Sequence, residues 1–332
     1  MTFEVVVCGS SNMDLIAYVD RMPAVGETIH GHTFASGFGG KGANQCVMAG
    51  KLGAKVAMIT KVGEDAYGTA TLENYKKVGV NTDFVFKTSE ASTGVAPITV
   101  DAKGNNSIII IPGANALITP EEVSAPAVKQ AIETAAVLVT QNEINHDATL
   151  EAMRIARHSK TLCIYNPAPA LPSLPEEFLV LPDIVCLNET EAALYTQVPA
   201  INDVEDARQA CKKLLARGAR SVLLTMGATG SLYVGKGDQL HNERNDNAEI
   251  VDIFVRAQKV DAVDSSGAGD SFVGALAYYL AHYGASMSLK TAINRASSIA
   301  SDSVRRKGTQ SSYPTRDTLP SSLFDADAEM KL

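Results

Sequence analysis

The 332-residue chain has five cysteines, at Cys8, Cys46, Cys163, Cys186 and Cys211, and no two of them form a C-x-x-C pair. Their odd number and wide spacing exclude a disulfide framework and predict reduced residues inside apolar runs. No apolar stretch is long enough to span a membrane. Positive charge is not in excess either: the formal net charge of -8 argues against general nucleic-acid binding. The short basic run Arg305, Arg306 and Lys307 reads as a solvated helix end. No basic and apolar leader precedes the strand-like run from Phe3 to Cys8, so a cytoplasmic enzyme is expected. The last residues, Met330, Lys331 and Leu332, match a peroxisomal Ser-Lys-Leu address at two of three places, which keeps a peroxisome-like compartment open.

What is present suits a large folded core, with 45% hydrophobic residues and no low-complexity linker. A single domain over 1–332 is expected. Short apolar runs recur at Val5 to Cys8, Val56 to Ile59, Val137 to Val139, Leu162 to Tyr165, Ile184 to Leu187 and Val222 to Leu224. Such runs fit strands buried on both faces. Helical patterns alternate with them at Glu64 to Val78, Glu121 to Thr134, Ala148 to His158 and Val204 to Arg217, and further ones follow Asp270 and cover Ser288 to Arg306. The rhythm predicts an α/β fold with a doubly wound, mostly parallel Rossmann-like sheet flanked by helices. Two segments break it, at approximately 13–38 and 93–112, where extended pieces follow one another without a helix. They predict a small β-sheet lid, placed to exclude water, or else a purely structural hairpin pair.

Residues 264–272 read Asp-Ser-Ser-Gly-Ala-Gly-Asp-Ser-Phe, directly before an apolar-periodic helix. Gly267, Ala268 and Gly269 let backbone N–H groups approach an anion at the helix start. Asp270 would repel a resting anion there. The pair makes sense when Asp270 takes a proton from an attacking hydroxyl while the N–H groups hold phosphoryl oxygens, so phosphoryl transfer to an alcohol is expected.

The glycines at 37–42 satisfy G-x-G-x-x-G, yet Lys61 stands at the end of the next strand, where a dinucleotide site needs an acid. Nor is this a Walker loop, because Gly42 follows Lys41 and residue 35 is Ala. What remains is a close turn carrying Lys41, Asn44 and Gln45, donors and acceptors suited to a polyhydroxylated ligand. Asn12 and Asp14 follow the first strand, where open α/β sheets bind ligands, although an Asx-turn explains them too. Glu143 follows the strand at Val137. Asn188 and Glu191 read either as a capping box or as groups near a nucleotide's phosphates and magnesium. Thr225, Gly227 and Gly230 form a turn that admits a nucleotide or merely joins a hairpin. His30 and His32 share a face of an extended segment, but no third zinc ligand is suitably spaced. No arrangement of Ser, His and Asp stands out as a hydrolytic triad.

In order along the chain, the segments 9–14, 39–45, 166–170, 188–191 and 264–272 resemble those of the ribokinase/PfkB carbohydrate kinases. The resemblance covers nearly the whole chain and includes both glycine-rich signatures of that family. It implies ATP as donor, Mg2+, an activating monovalent cation such as K+, and a β lid that often joins two subunits into a homodimer. Carried over by position, Asn12, Asp14, Gly40, Lys41, Asn44 and Glu143 would bind the sugar, and Asp270 would be the base. Asn188, Thr225, Gly227, Gly230, Gly269 and Ser297 would meet ATP, with Glu191 organising magnesium through water. Asp264, Ser266, Ser303, Arg306, Gly308 and Ser312 would form the potassium loop, several through carbonyls. Two positions depart: Ser265 replaces the usual Thr, and Ser297 stands where relatives often place His or Asn near adenine. The expected reaction is phosphorylation of the 5-hydroxyl of D-ribose. The same chemistry on deoxyribose, fructose or adenosine stays open, as do an NADP-dependent oxidoreductase and a silent sugar-binding regulator.

Overall fold

Val5, Val6, Val7 and Cys8 all lie fully out of solvent and point alternately into two apolar layers. Val5 and Val7 pack with Cys46, Met48 and Leu276, whereas Val6 and Cys8 face the layer of Ile59, Leu138 and Ile132. A strand covered on both faces needs no polar alternation, which is why the run is continuously apolar.

The computed structural model describes residues 2–237 and 249–325, so Met330, Lys331 and Leu332 lie outside the described residues. The strands are β1 (Val5–Cys8), β2 (Asn12–Tyr18), β3 (Thr33–Gly39), β4 (Val56–Gly63), β5 (Val85–Thr88), β6 (Gly94–Val100) and β7 (Asn106–Ile108). They continue as β8 (Val137–Thr140), β9 (Leu162–Tyr165), β10 (Ile184–Asn188), β11 (Ser221–Thr225), β12 (Gly230–Lys236) and β13 (Ile250–Arg256). The helices are α1 (Lys41–Lys51), α2 (Ala66–Lys77), α3 (Pro120–Val123), α4 (Pro126–Thr134) and α5 (His146–Ser159). After them come α6 (Glu177–Val180), α7 (Glu189–Thr196), α8 (Val204–Ala216), α9 (Ala268–Tyr283) and α10 (Leu289–Ser303).

Among the described residues, a nine-stranded sheet runs β13-β12-β11-β10-β9-β8-β1-β4-β5. It is parallel from β11 to β5, and β12 adds antiparallel to β11 and β13. The connections change direction between β1 and its neighbours β8 and β4, so the chain leaves β1 and β8 side by side at the sheet's carboxyl edge. Such a switch point leaves a crevice above the strand ends. A separate four-stranded sheet, β3-β2-β6-β7, comes from the two segments without helices.

One expected helix is two. The pattern from Glu121 to Thr134 breaks at Ser124 and Ala125, and α4 restarts with Pro126 in its first turn. Proline lacks the N–H that would continue the helix and is well placed only at its start. The helix expected to reach Arg306 ends at Ser303, because the following residues turn to bond the 263–266 loop: Val304 C=O accepts the amides of Val263 and Asp264 at 2.7 and 3.1 Å. The glycines at 37–42 end β3 and open α1, and β3 pairs antiparallel with β2 in the small sheet. That is not the first βα turn of a parallel sheet, so the dinucleotide-binding use of these glycines is ruled out by topology.

Gly42 explains the tightness of this turn. A Cβ there would meet Ser10 N at 2.6 Å, and the Ala43 amide donates to Ser10 C=O at 2.8 Å. Gly42→Ala is expected to lower stability by about 1–3 kcal/mol. Gly37→Ala, with nothing within 4 Å of its Cβ position, should stay within about 0.5 kcal/mol. Urea unfolding of both variants checks this; equal midpoints would show that the backbone contact does not set the need for glycine.

Candidate active site

The carboxyl ends of β1, β8, β9, β10 and β11 deliver polar residues to one edge. After β1 come Ser10, Ser11 and Asn12; after β8 come Gln141 and Glu143; Asn166 follows β9, and Asn188 and Thr225 end β10 and β11. Over this edge lie the starts of α1 and α9. Gly274 lets those helices touch, since a Cβ on it would sit 2.4 Å from Gln45 C=O. Asp270, in the first turn of α9, therefore reaches the first turn of α1.

Asp270 is 7% exposed, and each of its oxygens is held by an amide. Asn44 Nδ2 donates to Oδ2 and Gln45 Nε2 to Oδ1, both at 2.9 Å. Gln45 is itself fixed, accepting from Gln141 Nε2 at 2.7 Å and donating to Asn166 Oδ1 at 3.0 Å. With both Nε2 hydrogens used, Gln45 has no donor left for a ligand. Glu143 Oε2 accepts from Ser10 Oγ at 2.6 Å and from the Lys41 amide at 2.9 Å. Asn12 Oδ1 accepts from buried Asn115 Nδ2 at 2.7 Å, and Asn115 also holds the Ser11 backbone.

Charges gather here. Burial, followed by the neighbouring Glu143 and Asp270, pushes the Asp14 carboxyl from its ordinary 3.8 up to about 7. Burial also works against the Lys41 ammonium, yet Asp270, Glu143 and Glu191 around it outweigh that and raise its pKa. At the start of α9, Gly267 adopts a left-handed φ of 72° and caps the helix without a side chain. The Ala268 amide is engaged by Ser265 C=O at 3.2 Å. The amides of Gly269 and Asp270 meet no acceptor among the described residues, and Gly269 is exposed. Tyr313 Oη donates to Gly267 C=O at 2.9 Å and so secures the turn. This is an acceptor carboxylate beside open N–H donors, an arrangement able to deprotonate a hydroxyl and hold an anion together.

A sequence profile of the pfkB family carbohydrate kinases matches residues 2–316. The chain belongs to that family. Mouse ribokinase is 44% identical over 320 residues, covering 96% of this chain and 94% of that protein. Salmonella typhi deoxyribokinase is 38% identical over 312 residues, covering 94% and 96%. The solved structure of Arabidopsis thaliana ribokinase complexed with ribose and ATP matches with a TM-score of 0.84 at 29% identity, over 96% of this chain and 97% of that one. As the family leads one to expect, the fold is a large, mostly parallel sheet flanked by helices beside a small separate sheet.

The remaining expected site residues separate into groups. Asn188 and Glu191 form the capping box in full: Asn188 Oδ1 accepts from Glu191 N–H and Glu191 Oε2 from Asn188 N–H, each at 2.9 Å. Among the described residues Asn188 Nδ2 and Glu191 Oε1 meet no partner, and burial raises the Glu191 pKa. One carboxylate oxygen of Glu191 is thus left as an acceptor for a cation's bound water. Among the described residues, no three His, Cys, Asp or Glu side chains cluster to hold a metal. Thr225 and exposed Gly227 lie at the edge of the large sheet, whereas Gly230 is buried with a Cβ position only 2.1 Å from Val255 C=O, so β13 occupies its open side. Ser297 is buried within α10. Asp264 accepts the amides of Ser266 and Gly308 at 2.9 Å each. Although burial opposes it, bonds led by the Gly308 amide hold the Asp264 carboxyl below its ordinary range. Arg306 bonds Ser312 C=O at 3.0 Å through Nε and Ser303 C=O at 3.4 Å through its amide. Each of those carbonyls keeps a second lone pair.

Asn115, Gln141, Gln310 and Tyr313 were not marked by the sequence. Only Gln141 had a usable signal, its place directly behind a buried strand and two residues before Glu143. His30 and His32 lie in an exposed stretch between β2 and β3. All five cysteines are buried and none forms a disulfide among the described residues, and no described helix is long and apolar enough to cross a membrane.

Asp14 generates a test. Its carboxyl binds a proton more tightly folded than unfolded, so the stability it contributes is complete below pH 3.8 and lost as pH rises through about 7. Without ligands, Asp14→Asn should gain thermal midpoint over the parent chain between pH 5 and pH 8, since each unit of pKa rise is worth about 1.4 kcal/mol. A difference that stays constant across that range would contradict the raised value.

Proposed function

We propose that this chain transfers the γ-phosphoryl group of ATP to the 5-hydroxyl of D-ribose. The observation that carries the reading is Asp270, buried at the start of α9 with Asn44 and Gln45 on its two oxygens and the open amides of Gly269 and Asp270 beside it. Likeness to ribokinases, one of them solved with ribose and ATP, supports the substrates.

In this reading Asn12, Asp14, Gly40, Lys41, Asn44 and Glu143 bind the sugar. Asn44 keeps one amide hydrogen after serving Asp270, and Lys41 offsets the surrounding carboxylates. Asp270 accepts the 5-hydroxyl proton as the hydroxyl oxygen bonds to the γ-phosphorus and the bond from that phosphorus to the bridging oxygen breaks, with ADP leaving. The amides of Gly269 and Asp270 stabilise charge on the transferring oxygens, with Gly267 and Ala268 shaping the turn. Asn188, Thr225 and Gly227 meet ATP, Gly230 frames the turn behind them, and Ser297 lies on the adenine side. Glu191 would hold magnesium through water; when bound, that ion supplies charge neutralisation at the donor phosphates. Asp264, Ser266, Ser303, Arg306, Gly308 and Ser312 would hold potassium, keeping the α9 turn in shape.

The small sheet is read as a lid that excludes water from the transfer. Phe34, Ile108, Ile109, Ile110 and Ile111 are exposed on and beside it. An apolar group of this kind suits pairing with a second copy, giving a homodimer through the lid.

Asp270→Asn should lower kcat by about 10²–10⁴-fold while ribose binding, measured by calorimetry, persists. Near-parental turnover would remove the base assignment. In a panel of D-ribose, 2-deoxy-D-ribose, fructose and adenosine, ADP release should be fastest per unit concentration with D-ribose. A better acceptor than ribose would overturn the substrate while leaving the chemistry in place.

A further inference from the structure

Gln310 lies in the loop after α10 and is 6% exposed. Its Nε2 donates to Asn44 Oδ1 at 3.0 Å, and its Oε1 accepts from Asn74 Nδ2 at 2.9 Å. Its main chain is anchored separately. Lys51, the last residue of α1, donates Nζ to the carbonyls of Gln310 and Tyr313 at 2.7 and 2.9 Å. The loop is thus pinned at one end of α1, and the Gln310 side chain reaches Asn44 in the first turn of the same helix.

An amide has two unlike ends, whereas a carboxylate only accepts. Asn44 can donate to Asp270 Oδ2 only with its own oxygen turned away, and that oxygen is buried where Gln310 supplies its donor. Asn74 orients Gln310 by the same logic. The amides of Asn74, Gln310 and Asn44 therefore donate in one direction, ending on the carboxylate. Asn44 turned end for end would set its oxygen against Asp270 Oδ2, acceptor against acceptor, and would withdraw its remaining hydrogen from the sugar. The opposite side of Asp270 needs no such help, since Gln45 is already set by Gln141 and Asn166.

We propose that Gln310 is a positioning residue, which by donating to Asn44 Oδ1 selects the one orientation of Asn44 that serves both Asp270 and the acceptor sugar. The proposal rests on the reading of Asp270 as base and Asn44 as sugar ligand. It also gives the loop beyond α10 a direct link to the reacting hydroxyl, through one side chain.

The test is a double-mutant cycle of Gln310→Met with Asn44→Ala, reading kcat, ribose KM and ribose affinity by calorimetry. Methionine keeps the length of glutamine and removes its donor. Gln310→Met should lower kcat about tenfold or more, the scale of one lost buried hydrogen bond, and weaken ribose binding. A merely structural role would predict the same loss in either background. Positioning through Asn44 predicts that Gln310→Met costs nothing further once Asn44 is alanine. Undiminished loss in the Asn44→Ala background, or parental kcat in Gln310→Met alone, would overturn the proposal. Should Asn44→Ala have no measurable turnover, ribose affinity decides by the same criterion. Should Gln310→Met not fold, Gln310→Ala takes its place in the cycle. Asn44→Ala with parental kcat and affinity would instead remove the underlying site reading, a result distinct from failure of Gln310 alone.

Discussion

Asp270, Glu143 and Glu191 act on the ammonium of Lys41, and Asp14 lies within reach of the charges of Glu143 and Asp270. Bringing this much negative charge into a partly buried crevice is costly unless each oxygen finds a donor or a cation. Much of the surrounding structure meets that requirement. Asn44 and Gln45 serve Asp270, Ser10 and the Lys41 amide serve Glu143, and the Asn188 amide serves Glu191. The arrangement leaves Asp14 least compensated, and burial with the neighbouring Glu143 and Asp270 pushes its carboxyl up to about 7. A polyhydroxylated ligand suits such a crevice, since hydroxyls supply donors where carboxylates have only acceptors.

The same constraint explains why glycines crowd the site. The carboxylates come close only because α1, α9 and the turn after β1 approach backbone to backbone, at Gly42 against Ser10 and at Gly274 against Gln45. Once the helices are that near, side chains one turn from each helix start meet across the gap. Gly230, which carries a glycine for a comparable reason, is turned toward β13 and not toward the crevice. Glycine spacing alone does not distinguish these uses.

The large sheet was readable because strands buried on both faces are short unbroken apolar runs, as in β1, β8, β9 and β10. Where boundaries moved, local chemistry explains it: Pro126 restarts a helix, and the 304–308 loop leaves α10 to bond the segment before α9. The small sheet was readable from the opposite signal, extended segments with no helix between them. The site was legible where a residue stood in a marked turn, as with Asn12, Lys41, Asn44 and Asp270. It was not legible where one polar side chain reached in from a remote loop. Asn115 orients Asn12, and Gln310 orients Asn44 from 266 positions away in the chain.

Taken alone, the sequence determined the layering of the fold, the two glycine-rich turns and the pairing of an acid with a helix start, because each depends on neighbours within a few residues. Family membership followed from the order of those segments. Tertiary structure decided which polar atoms are already spent. It saturated Gln45, engaged the Ala268 amide, closed the Asn188 and Glu191 capping box, and left Asn44 one hydrogen to offer. Hydrogen-bond capacity is set by partners brought together from distant strands, and no local pattern records which partner arrives first.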